Sequence, residues 1–181
     1  MKLIFVRHGE TREGKKGIIL GSEDGHLTQQ GKKEMRQIAQ ELKVKKITPD
    51  IIISSPLKRA LDSATIISQT IKIKMVADSL VRERTAGIAE GKNDNDIDWE
   101  AYEKKPLLER KHKGGERFTD VYKRAEKFIQ RLQKRYGTET ILVVSHSVFI
   151  LMCIALLKKR SITYILKHKP KERIIIITIK K

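Results

Sequence analysis

Two apolar runs, Leu3 to Val6 and Ile141 to Val144, each end in a polar cluster carrying a histidine: Arg7-His8-Gly9 after the first, Ser145-His146-Ser147 after the second. Short continuous apolar runs rich in branched residues fit strands covered on both faces, the condition of a parallel sheet flanked by helices. Open sheets of that kind place ligands in the crevice beyond the carboxyl ends of their strands. If the two strands are parallel neighbours, both imidazoles face one crevice beside Arg7. A pocket of that make-up suits a phosphoryl group.

The rest of the chain alternates in the same way. Gly9 to Gly25 is rich in glycine and charge and reads as a long loop over the strand end. Thr28 is placed to cap a helix in which Met35, Ile38, Ala39 and Leu42 recur at helical spacing. Asp50 to Ile53 reads as a short buried strand. Ser55-Pro56 then reads as an N-cap followed by proline at the first helical position, with Leu57, Ala60, Leu61, Ala64 and Ile67 on one face of the helix. Arg59 falls in or just beyond its first turn, where the positive helix end also favours an anion.

Ile71 to Ala77 is expected to be a strand, and Leu80 to Gly91 a glycine-bearing loop with Glu83 and Glu90. The polar stretch after it, with short helical pieces around Trp99 and Leu107, reads as a lid. Phe118, Val121, Tyr122, Ala125, Phe128, Ile129 and Leu132 describe an amphipathic helix. Ile174 to Ile179 reads as a final apolar strand, either inside the sheet or at a covered edge. This order implies an α/β fold, a three-layer α/β/α sandwich with a mostly parallel central sheet. The expectation is one domain over residues 1–181, with a lid at about 92–115.

Composition narrows the partners. The net charge of +17 concentrates anions, which admits phosphorylated metabolites, nucleic acid and acidic membrane surfaces. The lysines are spread along the chain, as in a solvated surface, and no nucleic-acid recognition motif is present. Cys153 is the only cysteine, so an internal disulfide is excluded and a core thiol in a reducing, cytoplasmic setting is expected. The chain opens on a strand with no charged leader and apolar segment before it. The apolar stretch from Ile141 to Leu157 is broken by Ser145, His146 and Ser147, which reads as strand, turn and buried helix and not as a membrane span.

Phosphoryl transfer needs cationic clamps for the equatorial oxygens, a nucleophile in line with the leaving oxygen, and an acid for that oxygen. Arg7 and Arg59 offer planar forks, His8 or His146 could attack, and Glu83 could donate. No acidic cluster suggests magnesium and no P-loop is present, so neither cofactor nor metal is expected. His26, His112 and His168 match no catalytic pattern and are expected at the surface. Trp99 and Tyr102 are expected to pack the lid against the core.

Phe5-Val6-Arg7-His8-Gly9-Glu10-Thr11 resembles the signature of the histidine phosphatase superfamily, the phosphoglycerate mutase-like family. The resemblance runs in order along nearly the whole chain. It takes in Gly21, Asp24, Leu27, Thr28 and Gly31, then Ser54-Ser55-Pro56-Leu57-Lys58-Arg59-Ala60. Glu83, Gly87, Glu90 and Gly91 follow, then Gly114-Gly115-Glu116, and finally Ser145-His146. It implies that His8 is the nucleophile and forms a transient phosphohistidine, that Arg7, Arg59 and His146 bind phosphoryl oxygens, and that Glu83 is proton donor and later base. Glu10, Thr11, Gly21 and Ser147 are second-tier candidates for substrate binding. An imidazole between two arginines resists protonation and keeps the lone pair that attack requires. The chain departs from the family at Gly14-Lys15-Lys16, where many relatives carry asparagine, and at Ser147, where glycine is common. Both bear on substrate contacts.

The expected activity is that of a metal-independent, histidine acid phosphatase-type phosphomonoesterase acting on a small phosphorylated substrate. The alternatives are a cofactor-dependent phosphoglycerate mutase and a non-enzymatic module binding a polyanion or protein partner on the same fold. The short Lys92 to Lys113 segment favours hydrolysis, because mutases of the family are generally longer there. The Ile174 to Ile179 strand serves either within the sheet or as the edge of a homodimer.

Overall fold

A computed structural model describes residues 1–179, so the last two residues of the domain expected over 1–181 lie outside the described residues. Five strands form one sheet: β1 (Lys2–Arg7), β2 (Ile51–Ser54), β3 (Met75–Ala77), β4 (Thr140–Ser145) and β5 (Ile174–Thr178), in the spatial order β3-β2-β4-β1-β5. The first four are mutually parallel, and β5 closes the edge antiparallel to β1. Side chains alternate across this sheet, which is why both of its faces are apolar. Leu3, Phe5, Ile53, Ile141 and Val143 enter one core cluster, while Ile4, Val6, Ile52, Leu142 and Val144 enter the other.

Each cluster is roofed by helices. On one face lie α2 (Gln29–Val44) and α3 (Lys58–Ile71), which bury Met35, Ile38, Ala39, Leu42, Ala64 and Ile67. The Thr28 hydroxyl caps α2 by accepting from Gly31 N at 2.9 Å, as its sequence position predicts. On the other face lie α5 (Phe118–Arg135), α6 (Ser147–Leu157) and α7 (Ile162–Lys167). Helix α6 is apolar all round and buries seven consecutive residues, Phe149 to Ala155, Cys153 among them with no exposed surface. Burial pushes the Cys153 thiol well above its ordinary pKa. The loop after β1 contains a short helix, α1 (Arg12–Lys15), and the lid contains α4 (Trp99–Glu103) with a 3-10 turn at Leu107–Glu109.

Four expectations are corrected. The strand expected from Ile71 starts only at Met75, because α3 runs through Ile71 and its last turn is closed by Lys72 in the left-handed region. Helix α3 begins two residues later than Ser55-Pro56 suggested, for a reason that lies in the site. Trp99 and Tyr102 pack on each other and on His112 within the lid, with the Tyr102 hydroxyl accepting from Arg84 at 2.7 Å. His112 is therefore half-buried, not exposed, whereas His26 and His168 are exposed. The β5 strand is an edge strand, with Ile176 44% exposed. Among the described residues no helix is long and apolar enough to cross a membrane.

Candidate active site

The register of β1 on β4 pairs Arg7 with Ser145, so the next residue of each strand, His8 and His146, emerges at the same level of the sheet. Their rings meet with centroids 5.1 Å apart and planes at 60°. His8 N donates to Ser145 O at 3.0 Å, which carries the ladder one step beyond the strands. Two residues 138 positions apart in sequence are thereby fixed side by side by backbone pairing alone.

The partners of His8 settle its tautomer. Arg59 Nε lies 3.2 Å from Nε2, and a guanidinium only donates, so Nε2 must present its lone pair. The proton then sits on Nδ1, which donates to Gly9 O at 2.8 Å. Burial, followed by the charges of Arg59 and Arg7, lowers the His8 pKa to about 3, although the bond to Gly9 opposes this. His146 has no exposed surface, and burial with the same two arginines and His8 holds its pKa well below the ordinary value. Both imidazoles are neutral at physiological pH.

Arg59 is 2% exposed and held rigidly, with Nη1 donating to Glu23 O at 2.6 Å and Nη2 to Gly21 O at 2.7 Å. Gly21 thus supports the arginine through its carbonyl, and its φ of +51° beside the Glu90 carboxylate leaves no room for a side chain. The late start of α3 has its cause here. Ser55 does not cap the helix; its hydroxyl lies 2.8 Å from His146 Nε2 and accepts from Leu57 N at 3.2 Å. The other nitrogen of that ring, Nδ1, is buried without a hydrogen-bond partner. A neighbouring anionic oxygen would satisfy it. Arg7 is exposed at the mouth, within electrostatic reach of both rings.

Glu83 sits on the loop after β3, over the start of α6. Its Oε2 lies 3.4 Å from Val148 N and its Oε1 accepts from Arg84 N at 2.8 Å. Its charge reaches Arg59, whose pKa is lowered by burial and raised in turn by Glu83 and Asp24. The structure therefore brings together Arg7, His8, Arg59, Glu83 and His146. It also adds Ser55, which in sequence looks like an ordinary helix cap, and Ser63, whose hydroxyl accepts from Gly9 N at 3.1 Å. In the sequence Ser55 stands out only as a cap before proline and as part of the Ser54 to Ala60 run, and Ser63 only as a polar residue within an apolar helical pattern.

The second-tier residues occupy different places. The Thr11 hydroxyl caps α1 by accepting from Gly14 N, and the Glu10 carboxylate accepts from the Thr28 hydroxyl at 2.7 Å. Both line a cavity of about 570 Å³ that shares Arg7, His8 and Ser147 with the site but has α2 and the segment from Lys169 to Arg173 as its other walls. Arg59, Glu83 and His146 are absent from that lining. The Nε2 atom of His8 faces Arg59, which is outside that lining, while Nδ1 faces the Gly9 carbonyl. Among the described residues no three of His, Cys, Asp and Glu gather as a metal-ligand set.

The family profile described as Histidine phosphatase superfamily (branch 1) matches residues 3–179. Phosphoserine phosphatase 1 of Hydrogenobacter thermophilus is 34% identical over 157 residues, spanning 82% of this chain and 72% of that protein. A 2,3-bisphosphoglycerate-dependent phosphoglycerate mutase of Bifidobacterium longum is 34% identical over 113 residues, 61% of this chain but 46% of the mutase. Among solved structures, Bacillus stearothermophilus YhfR superposes with a TM-score of 0.88 at 27% identity, covering 99% of this chain and 91% of that one.

Proposed function

Because the chain belongs to the histidine phosphatase superfamily (branch 1), we propose that it hydrolyses a small phosphomonoester through a phosphohistidine on His8. The observation that carries this reading is the Nε2 lone pair of a neutral His8, aimed at the guanidinium of a buried Arg59. An arriving phosphoryl group takes over the Arg59 Nε donor, gains the His146 Nδ1–H when Ser55 donates to Nε2, and meets Arg7 at the mouth. In the first step Nε2 bonds to phosphorus as the ester P–O bond breaks, and Glu83 gives its proton to the leaving oxygen. In the second step water bonds to phosphorus, Glu83 takes its proton, and the P–N bond returns its electrons to Nε2. The Gly9 carbonyl on Nδ1–H steadies the charge that the ring carries between the two steps. Glycine at position 21, with its carbonyl on Arg59, and Ser147 at the first turn of α6 shape the same pocket.

The reading includes hydrolysis without metal, and the relative named for phosphoserine puts that ester first in a substrate panel. The second reading, a mutase, rests on the Bifidobacterium relative, but less than half of that protein is spanned. Phosphate release from phosphoserine and 4-nitrophenyl phosphate in the presence of EDTA, abolished in His8→Ala, is the expected result. Interconversion of 2- and 3-phosphoglycerate faster than hydrolysis would select the mutase, and activity surviving in His8→Ala would remove the phosphohistidine.

A further inference from the structure

The segment that leads to Glu83 contains only a single 3-10 turn, at Ser79–Val81, and its four consecutive carbonyls from Leu80 to Glu83 are each met by a side chain. Ser145 Oγ donates to Val81 O at 2.6 Å, anchoring the loop to the end of β4. Arg124, on α5, takes the other three: Nη1 donates to Leu80 O at 2.9 Å and Arg82 O at 2.7 Å, and Nη2 to Glu83 O at 3.2 Å. Unpaired carbonyls in a half-buried loop are costly, so a single guanidinium that satisfies three of them fixes the path of the backbone. Its own position is fixed in turn. Nη2 also pairs with the Glu116 carboxylate at 3.0 Å and 3.2 Å, and the Arg124 side chain is only 11% exposed. Glu116 is itself tied back to the loop, its Oε2 accepting from Thr85 N and its backbone N donating to Thr85 O, both at 2.9 Å. Gly115 permits this closeness, since a Cβ there would press on Thr85 O.

We infer that Arg124, oriented by Glu116, is the positioning residue that holds the Glu83 carboxylate over the reacting ester. The inference rests on the phosphatase reading and adds to it a residue of the second turn of α5 that does not touch His8. Its mechanism is geometric. With Glu83 O released, the Glu83 carboxylate loses its register over Val148 N, and the leaving oxygen departs without its proton. That deficit depends on the substrate. An alkoxide is a poor leaving group and needs the acid, whereas 4-nitrophenolate leaves unaided, and kcat/KM reports events only up to loss of the leaving group.

The test compares kcat/KM for phosphoserine and 4-nitrophenyl phosphate in the wild type, Arg124→Met, Glu116→Gln, Glu83→Gln and Leu132→Ala, the last a core truncation in the same helix. Arg124→Met is expected to lose on the order of 10²-fold on phosphoserine and less than about threefold on the aryl ester, tracking Glu83→Gln. Glu116→Gln should move the same ratio in the same direction by a smaller factor, and Leu132→Ala should leave it unchanged. Equal losses on both esters in Arg124→Met, or an unmoved ratio, would overturn the inference. If Arg124→Met does not fold, the ratio in Glu116→Gln decides alone. An ester-selective loss in Glu83→Gln without one in the other two variants sinks the positioning role and leaves the phosphatase reading intact. No selective loss in Glu83→Gln removes the acid and the inference with it.

Discussion

The tautomer of His8 is set before any substrate arrives, because Arg59 at Nε2 can only donate and the Gly9 carbonyl at Nδ1 can only accept. His146 meets a single hydroxyl, Ser55 Oγ, which accepts from Leu57 N; when that hydroxyl donates its proton to His146 Nε2, the ring's own proton lies on the orphaned Nδ1. Ser55→Ala should therefore cost about 1–3 kcal/mol of stability by stripping a buried ring of its partner. The same change should weaken inhibition by inorganic phosphate or vanadate more than it alters the fold. Urea unfolding and inhibitor titration check the two halves, and an unchanged inhibition constant would show that Ser55 does not orient the ring. Cations at residue scale were easy to read in the sequence, since Arg7 and Arg59 stand in recognisable patterns. Arg124 was not, because what it binds are main-chain carbonyls, and a helix surface rich in lysine and arginine gives no sign of which one faces inward.

Among the elements, α2 carries the clearest link between local chemistry and the site. Thr28 accepts from Gly31 N and donates to the Glu10 carboxylate, tying the start of the helix to the loop that follows His8. Glycine is required at 31 because any side chain would meet the backbone of Glu10, so helix and loop touch directly. Thr28→Ala is expected to cost about 1 kcal/mol, read as a lower urea midpoint, and Thr28→Ser to restore most of it. Equal midpoints for the alanine and serine variants would rule out the cap. The strand and helix cores were legible from apolar periodicity, as the clusters on the two faces of β1 and β4 demonstrate. Element ends were less so. Ser55 looked like a cap because serine before proline usually is one, but tertiary demand from His146 took its hydroxyl. The Ile71 to Ala77 run looked like a strand because its isoleucines alternate, but Ile71 and Ile73 pack against the α2 and α3 cluster around a helix end.

For the whole molecule, two neutral imidazoles, the buried His146 and the half-buried His8, make folding pH-dependent. Each ring has a folded pKa below its unfolded value of about 6.5, so each binds its proton first in the unfolded chain. The contribution is complete above pH 6.5 and is withdrawn as pH falls toward about 3 for His8, at up to about 1.4 kcal/mol per pH unit for each ring. The urea midpoint should fall steeply between pH 6.5 and 4.5, and His8→Ala should flatten the decline by roughly half. A variant curve parallel to the wild type would mean that His8 is not held neutral. The sole sulfhydryl, at Cys153 in the middle of α6, adds a convenience of another kind. Sealed from solvent and disinclined to ionise, it is out of reach of alkylating reagents while the sandwich stays shut. The rate at which such a reagent marks the protein would therefore serve as a clock for its large-scale openings, with no probe needing to be engineered in.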